Sequence, residues 1–291
     1  MADSTIFYTI MGCVYITLSL IFFLINLLLL ITLIRNPEYH TATYRIIICI
    51  CVACMVQLVI FFIGGFMTIS DSVLNIYVNR VLGAILQAGW FLYLGLSFTL
   101  AVDRLLCFVV LSPKTCSLIS FLVMSSSWII CIGYLIAFLI PGFGFGYCCN
   151  HEYLQWSYME EVGADILQES EIIVDFVILS VILIIYFALF CFLFKMRKRS
   201  TTPARSQSFK KELRILLVST ISYFYECTYL LWFFWGTTIV PDSQQSQIFT
   251  TLLWIVDCGL FSMATLIINS SVRMRVKTII VSSIATTVTR F

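Results

Sequence analysis

Apolar residues along this chain gather into long runs separated by short polar connections. Seven such runs stand out, at about 7–34, 46–69, 81–103, 118–141, 172–194, 215–239 and 248–272. A bilayer core of about 30 Å is crossed by about 20 apolar residues in helical form, because in lipid every backbone polar group has to be paired within its segment. The pattern predicts an all-α integral membrane protein: a seven-transmembrane helix bundle, one domain over 1–291. The third run stays apolar to Leu111, which predicts a helix continuing past the membrane edge. The stretch 142–171, rich in carboxylates, Gly and Tyr, is too polar to span and is expected to be a long loop. The first run is too long for a signal peptide and lacks a convincing cleavage site, so it is expected to act as its own uncleaved insertion signal.

Basic residues set the direction. With the N-terminus outside and the C-terminus cytoplasmic, every one of the 17 Lys and Arg except Arg80 falls on the inner side. That is the positive-inside rule at high contrast, and a wrong span count would spoil it. The outer loop meanwhile carries Glu152, Glu160, Glu161, Asp165, Glu169 and Glu171 with no basic residue. The expected location is the plasma membrane, multi-pass, with membrane lipid as a partner. The stretch from Lys195 to Arg214, with Ser, Thr and Pro203 among its basic residues, reads as a mobile loop facing the anionic inner leaflet.

Composition narrows the function classes. Apolar residues make up 61% and charged ones 11%, against about 25% charged in soluble domains, which excludes a water-soluble fold. A net charge of +2 gives no reason to expect a nucleic-acid partner. The two His, His40 and His151, both lie in connecting segments, against His-ligated metal or His-based catalysis. With no phosphate-cradling Gly loop and no nucleophile–base pair, no enzyme and no cofactor are expected. No Lys lies inside a span, so a retinal Schiff base is excluded. Most of the 12 Cys, such as Cys49, Cys51 and Cys54, read as small buried hydrophobes. Cys148 and Cys149 in the outer loop have Cys13 as a candidate disulfide partner, though adjacent Cys cannot both share one.

At the inner end of span three the chain reads Leu100-Ala101-Val102-Asp103-Arg104-Leu105. This resembles the Asp/Glu-Arg-Tyr motif of rhodopsin-like G-protein-coupled receptors, with Leu105 in place of Tyr. Other pieces are Asn36-Pro37-Glu38-Tyr39-His40, Trp156-Ser157-Tyr158, Lys211-Glu212-Leu213-Arg214, and Asn269 to Arg273. In order and spacing they resemble the nematode serpentine chemoreceptors, most closely the Srx-like group. The resemblance implies a sensory-cell receptor for a small molecule or short peptide, coupled to a heterotrimeric G protein. It places Asp103, Arg104 and Glu212 in the coupling switch. The chain departs from the wider rhodopsin-like pattern: Gln57 stands where span two usually has Asp, spans five to seven lack Pro, and the outer end of span three lacks Cys.

Carboxylates at mid-membrane depth are costly and tend to face the bundle interior with a partner or a function. Glu226 lies about 16 Å from the inner start of span six, and Asp257 about 14 Å from the outer start of span seven. Gln57 in span two reaches a similar level, so the three are expected around one central cavity. One reading has Glu226 and Asp257 hydrogen-bonded to each other, pinning two helices. The other makes Gln57, Gln87, Glu226 and Asp257 a ligand pocket for a cationic or hydrogen-bonding molecule. Membrane carboxylates also mark ion routes, so a transporter or channel is the alternative function. Against it stand the lack of repeated halves and of Gly/Pro-broken helices in paired positions.

Overall fold

The computed structural model describes the backbone of residues 2–108, 112–150, 153–199, 203–240 and 243–288. The side chains of 2–5, 113, 149–153, 196–212, 237, 239, 241–243 and 280–291 lie outside the described residues. The helices are α1 (Ala2–Arg35), α2 (Ala42–Ser70), α3 (Ile76–Phe108), α4 (Pro113–Leu139), α5 (Val162–Arg199), α6 (Pro203–Ile239), α7 (Ser243–Ile268) and α8 (Ser270–Val288). A short 3₁₀ turn, Pro37–Tyr39, follows α1, and an antiparallel hairpin of β1 (Phe145–Asn150) and β2 (Tyr153–Tyr158) lies between α4 and α5.

The first seven helices are long and apolar enough to cross a membrane. The shortest, α7, has 26 residues, about 39 Å at helical rise. Proline punctuates rather than interrupts them. The four Pro among the described residues lie at element boundaries: Pro37 opens the 3₁₀ turn, Pro113 and Pro203 open α4 and α6, and Pro141 follows the end of α4. A ring with no N–H costs nothing in a first helical turn but would break a ladder further in. At α4 the Ser112 hydroxyl adds a cap by accepting from the Thr115 N–H at 3.2 Å. Where α2 stops, Asp71 turns left-handed (φ 46°, ψ 47°) and its N–H reaches back to Met67 and Thr68 carbonyls.

The most enclosed span is α3, and α4 is the most peripheral. Gly12 and Gly65 let α1 and α2 touch backbone to backbone: a Cβ on Gly12 would lie 2.6 Å from the Gly65 carbonyl, and one on Gly65 2.9 Å from that of Gly12. Small residues at such crossings are how membrane helices gain packing without a hydrophobic drive. Asn26 links α1 to α7 by donating to the Cys258 carbonyl (3.0 Å) and accepting from Ser262 (2.7 Å).

Three expectations need correction. Span seven does not run to 272: α7 ends at Ile268 and a separate helix starts at Ser270. The stretch 142–171 is not all loop, because the hairpin occupies its middle and α5 already begins at Val162. Nor is Lys195 to Arg214 a long loop, since α5 runs to Arg199 and α6 starts at Pro203. In α5 and α6 polar residues lie on a helix that outlasts its apolar run, whereas α7 breaks at Asn269 inside one, and hydropathy sees neither.

Candidate functional site

The hairpin lies across one mouth of the bundle with its large side chains turned in. Phe145, Tyr147, Leu154 and Trp156 are all buried. On α3, the Asn79 side chain extends the hairpin by one pairing: its amide donates to the Tyr147 carbonyl (3.0 Å) and its oxygen accepts the Tyr147 N–H (2.7 Å). One residue on, Arg80 forks onto Glu161 at 2.7 Å to each oxygen. One turn further in, Gly83 passes so close under the Phe145 carbonyl that any Cβ would collide with it. The Tyr147 hydroxyl meets Thr68 of α2 at 2.5 Å, and Gln247 of α7 accepts from the Leu154 N–H at 3.4 Å.

Hydrogen bonds and one ion pair thus anchor the hairpin to α3. Cys13 and Cys148 are free thiols, Cys148 lying 3.2 Å from the Ser157 hydroxyl, while the Cys149 side chain is outside the described residues. Asn79→Ala strands a buried N–H and C=O together and is expected to cost about 1–3 kcal/mol, read as a lower unfolding temperature in detergent. Arg80→Ala breaks a partly exposed pair (side chains 21% and 31% accessible) and is expected to cost about 1 kcal/mol or less. Equal losses, or none for Asn79→Ala, would remove Asn79 from this role.

Under the hairpin lies a tier of four buried carboxylates: Glu171 and Asp175 on α5, Glu226 on α6 and Asp257 on α7. Glu171 accepts from Gln87 (2.6 Å) and from Tyr158 of the hairpin (2.5 Å). Burial first, then the Glu171 carboxylate, pushes the Tyr158 hydroxyl well above its ordinary range, which keeps it a donor. Asp175 accepts from the Trp90 indole at 3.2 Å. Glu226 accepts from Tyr93 (2.8 Å) and Ser97 (3.3 Å) on the same oxygen. Apart from Tyr158 these donors all belong to α3, whose residues 87, 90, 93 and 97 recur at helical spacing and present one face to α5 and α6. Asp175 lies within electrostatic range of Glu171 and Glu226, and Asp257 within range of Glu226.

The donors do not suffice. Asp175 Oδ1, Glu226 Oε2, Asp257 Oδ1 and Gln87 Oε1 are buried with no hydrogen-bond partner among the described residues. The expected bond between Glu226 and Asp257 is likewise not formed among them; Glu226 turns to α3 instead. Gln57 does reach the same level, accepting from the Trp254 indole at 2.9 Å, one turn from Asp257. At that level the rings of Trp90, Tyr229 and Trp254 pack with centroids 5.2 to 6.0 Å apart. Beside Glu226 a void of only ≈ 10 Å³ remains, about the room of one water. A larger groove of ≈ 820 Å³ opens sideways between α1, α6 and α7, walled by Tyr8, Met11, Trp232, Phe249 and Leu252.

Sequence reasoning missed Glu171, because α5 was expected to start near 172 and the acids before it were read as loop, and Asp175, because it stands only three residues inside that expected start rather than at mid-span. The available signal was their spacing of four, which puts both carboxylates on one helix face.

At the opposite end Asp103 and Arg104 form a pair at 2.6 Å, each side chain 3% accessible. Asp103 also accepts from Thr43 of α2 (2.7 Å) and Ser120 of α4 (2.8 Å), and Arg104 donates to the same Thr43. The pair is therefore buried and clamped between α2 and α4; nothing in the motif itself predicts those two hydroxyls. The Glu212 side chain lies outside the described residues. Two other sequence pieces meet nearby: Tyr39 faces Ser271 at 3.4 Å, and Glu38 accepts from Arg275 of α8 at 2.8 Å.

A family model described as "Serpentine type 7TM GPCR chemoreceptor Srt" matches residues 3–288. The matching group is Srt where the sequence pieces resembled Srx; such short motifs do not separate neighbouring groups. No curated protein matches the chain. Among solved structures, the crystal structure of squid rhodopsin superposes with a TM-score of 0.74 at 12% identity, over 94% of this chain and 85% of that one. At that identity the likeness shows the fold alone.

Proposed function

Because the chain belongs to the serpentine 7TM GPCR chemoreceptor family Srt, we propose that it takes a small molecule or short peptide from the hairpin side and activates a heterotrimeric G protein at the other end. The hairpin mouth then faces outward, with the N-terminus outside, and α8 lies in the cytoplasm of a sensory cell. The observation that carries the reading is the carboxylate tier. Four buried acids with no Lys or Arg beside them, three of them with an oxygen unpartnered among the described residues, are costly to keep as mere structure. They fit a ligand with a positive charge or several hydrogen-bond donors. The acidic rim formed by Glu160, Asp165 and Glu169 would raise the local concentration of such a molecule. The sideways groove gives it an approach, since Leu252 in its wall lies about 7 Å above Asp257 along α7.

The Asp103–Arg104 pair at the other end supports the second half of the reading. It is a contact whose release would free an Arg at the mouth of the bundle when the helices move apart. The same carboxylates would serve a transporter or channel, so the test has to separate the two. The chain is reconstituted in vesicles with a G protein, and small amines, amides and acids are screened for nucleotide exchange beside tracer flux. Ligand-dependent exchange without flux is expected. Flux of the same molecules with no exchange would replace the receptor by a carrier.

A further inference from the structure

The carboxylate tier and the Asp103 cluster leave one cavity unused. Between the first turns of α2 and α4, at the α8 end of the bundle, lies a groove of ≈ 540 Å³. Arg45 stands on one wall and Lys114 on the other, and both are exposed. Among the described residues neither meets a carboxylate, whereas Arg104 and Arg275 have Asp103 and Glu38. Their own helices give no reason for them, because the first turn of a helix disfavours a cation, and neither first turn holds an acid. Apart from Ser117 and Ser120 the rest of the lining is apolar: Ile46 at the bottom is buried, while Leu118 and Phe121 are 57% and 56% exposed on the most peripheral span.

Two cations above an apolar trough that faces the bilayer match one kind of molecule in shape and charge. We propose that this groove is a binding site for an anionic phospholipid of the adjacent leaflet. Its phosphate lies between Arg45 and Lys114, and an acyl chain lies along Leu118 and Phe121. The cations supply attraction to negative head groups, and the exposed side chains supply the surface that a neutral or water-soluble anion would not use. Ser120 lines the groove and at the same time donates to Asp103 at 2.8 Å, so the bound lipid adjoins the clamp on Arg104. The site does not depend on the receptor reading and would stand if the chain proved to be a carrier.

The probe is phosphatidylserine against phosphatidylcholine, added to the purified full chain in detergent, with retained lipid counted by native mass spectrometry. Wild type is expected to keep one phosphatidylserine, and R45Q/K114Q to need about thirtyfold more of it. R45K/K114R keeps both charges and should retain the lipid. R35Q/K277Q removes the same charge from the same end but outside the groove, and should behave as wild type. Inorganic phosphate in excess should not displace the lipid. Retention by R45Q/K114Q at wild-type level overturns the site. An equal loss in R35Q/K277Q reduces it to a general attraction of the basic end, and displacement by phosphate makes it an anion site rather than a lipid site.

Discussion

Arg104→Ala is expected to abolish nucleotide exchange by the coupled G protein while the receptor still reaches the membrane. Arg104 is the one basic side chain among the described residues paired inside the bundle, held by Asp103 and Thr43. Removing one member of a buried ion pair commonly costs about 3–5 kcal/mol, because the other is left charged and alone. Here Asp103 is not left alone: Thr43 and Ser120 still donate to both of its oxygens. The loss of stability should therefore stay nearer about 1–3 kcal/mol, lowering yield without preventing folding. Loss of signalling should be complete, since no other described cation can take its place against a partner's helix.

Asp103→Asn makes the same mechanism visible without any ligand. It removes the charge that holds Arg104 at rest, and a shift of about 1–2 kcal/mol between two states changes their ratio about five- to thirtyfold. Basal exchange in isolated membranes should rise by that factor, and Asp103→Asn/Arg104→Ala should return it to background. Thr43→Val should give a smaller rise, because Thr43 bonds to both members of the pair. If Arg104→Ala at the membrane signals at wild-type strength, the pair is structural and coupling runs elsewhere.

How far these sites were legible follows from the kind of residue each uses. Seven apolar runs carry the topology because lipid forces each to be helical, and this held to within a few residues for α1, α2 and α4. Polar ends were not legible, since α5 gains the turns from Val162 and α6 those from Pro203 on residues that hydropathy reads as loop. The hairpin was hidden for a related reason. Its strands are six residues each and are tied to the bundle by Asn79 and Gln247, far away in sequence. Glu226, Asp257 and Gln57 were readable because a polar group in an apolar run is conspicuous. Glu171 was not, because it stands among other acids, and its difference from Glu169 is only which side of the helix it faces.

The largest effect expected in the carboxylate tier is a change of sign between stability and response. Asp175→Asn and Asp257→Asn keep shape, take away a group that could become charged only with no cation beside it, and put a two-hydrogen amide donor in place of one carboxyl oxygen. Asp257 Oδ1 and Asp175 Oδ1 have no partner among the described residues, so the native acids carry a burial cost that the amides reduce. Each substitution is expected to stabilise the receptor in detergent by about 1–2 kcal/mol, as removal of a functional strain commonly does. Glu226→Leu should do the opposite. It leaves the hydroxyls of Tyr93 and Ser97 buried without their acceptor and should cost about 2–4 kcal/mol, while Glu226→Gln, which keeps that acceptor, should cost little. Response should fall in all four. With a cationic agonist from the screen, loss of one charged contact should raise the half-maximal concentration about tenfold or more, since about 1.4 kcal/mol corresponds to that factor. A tier that merely ties helices together predicts a different pattern, with Asp175→Asn and Asp257→Asn lowering the unfolding temperature and leaving agonist potency alone. Unfolding curves and exchange titrations on the same four variants decide between them, and destabilised Asn variants with unchanged potency would end the ligand-site reading.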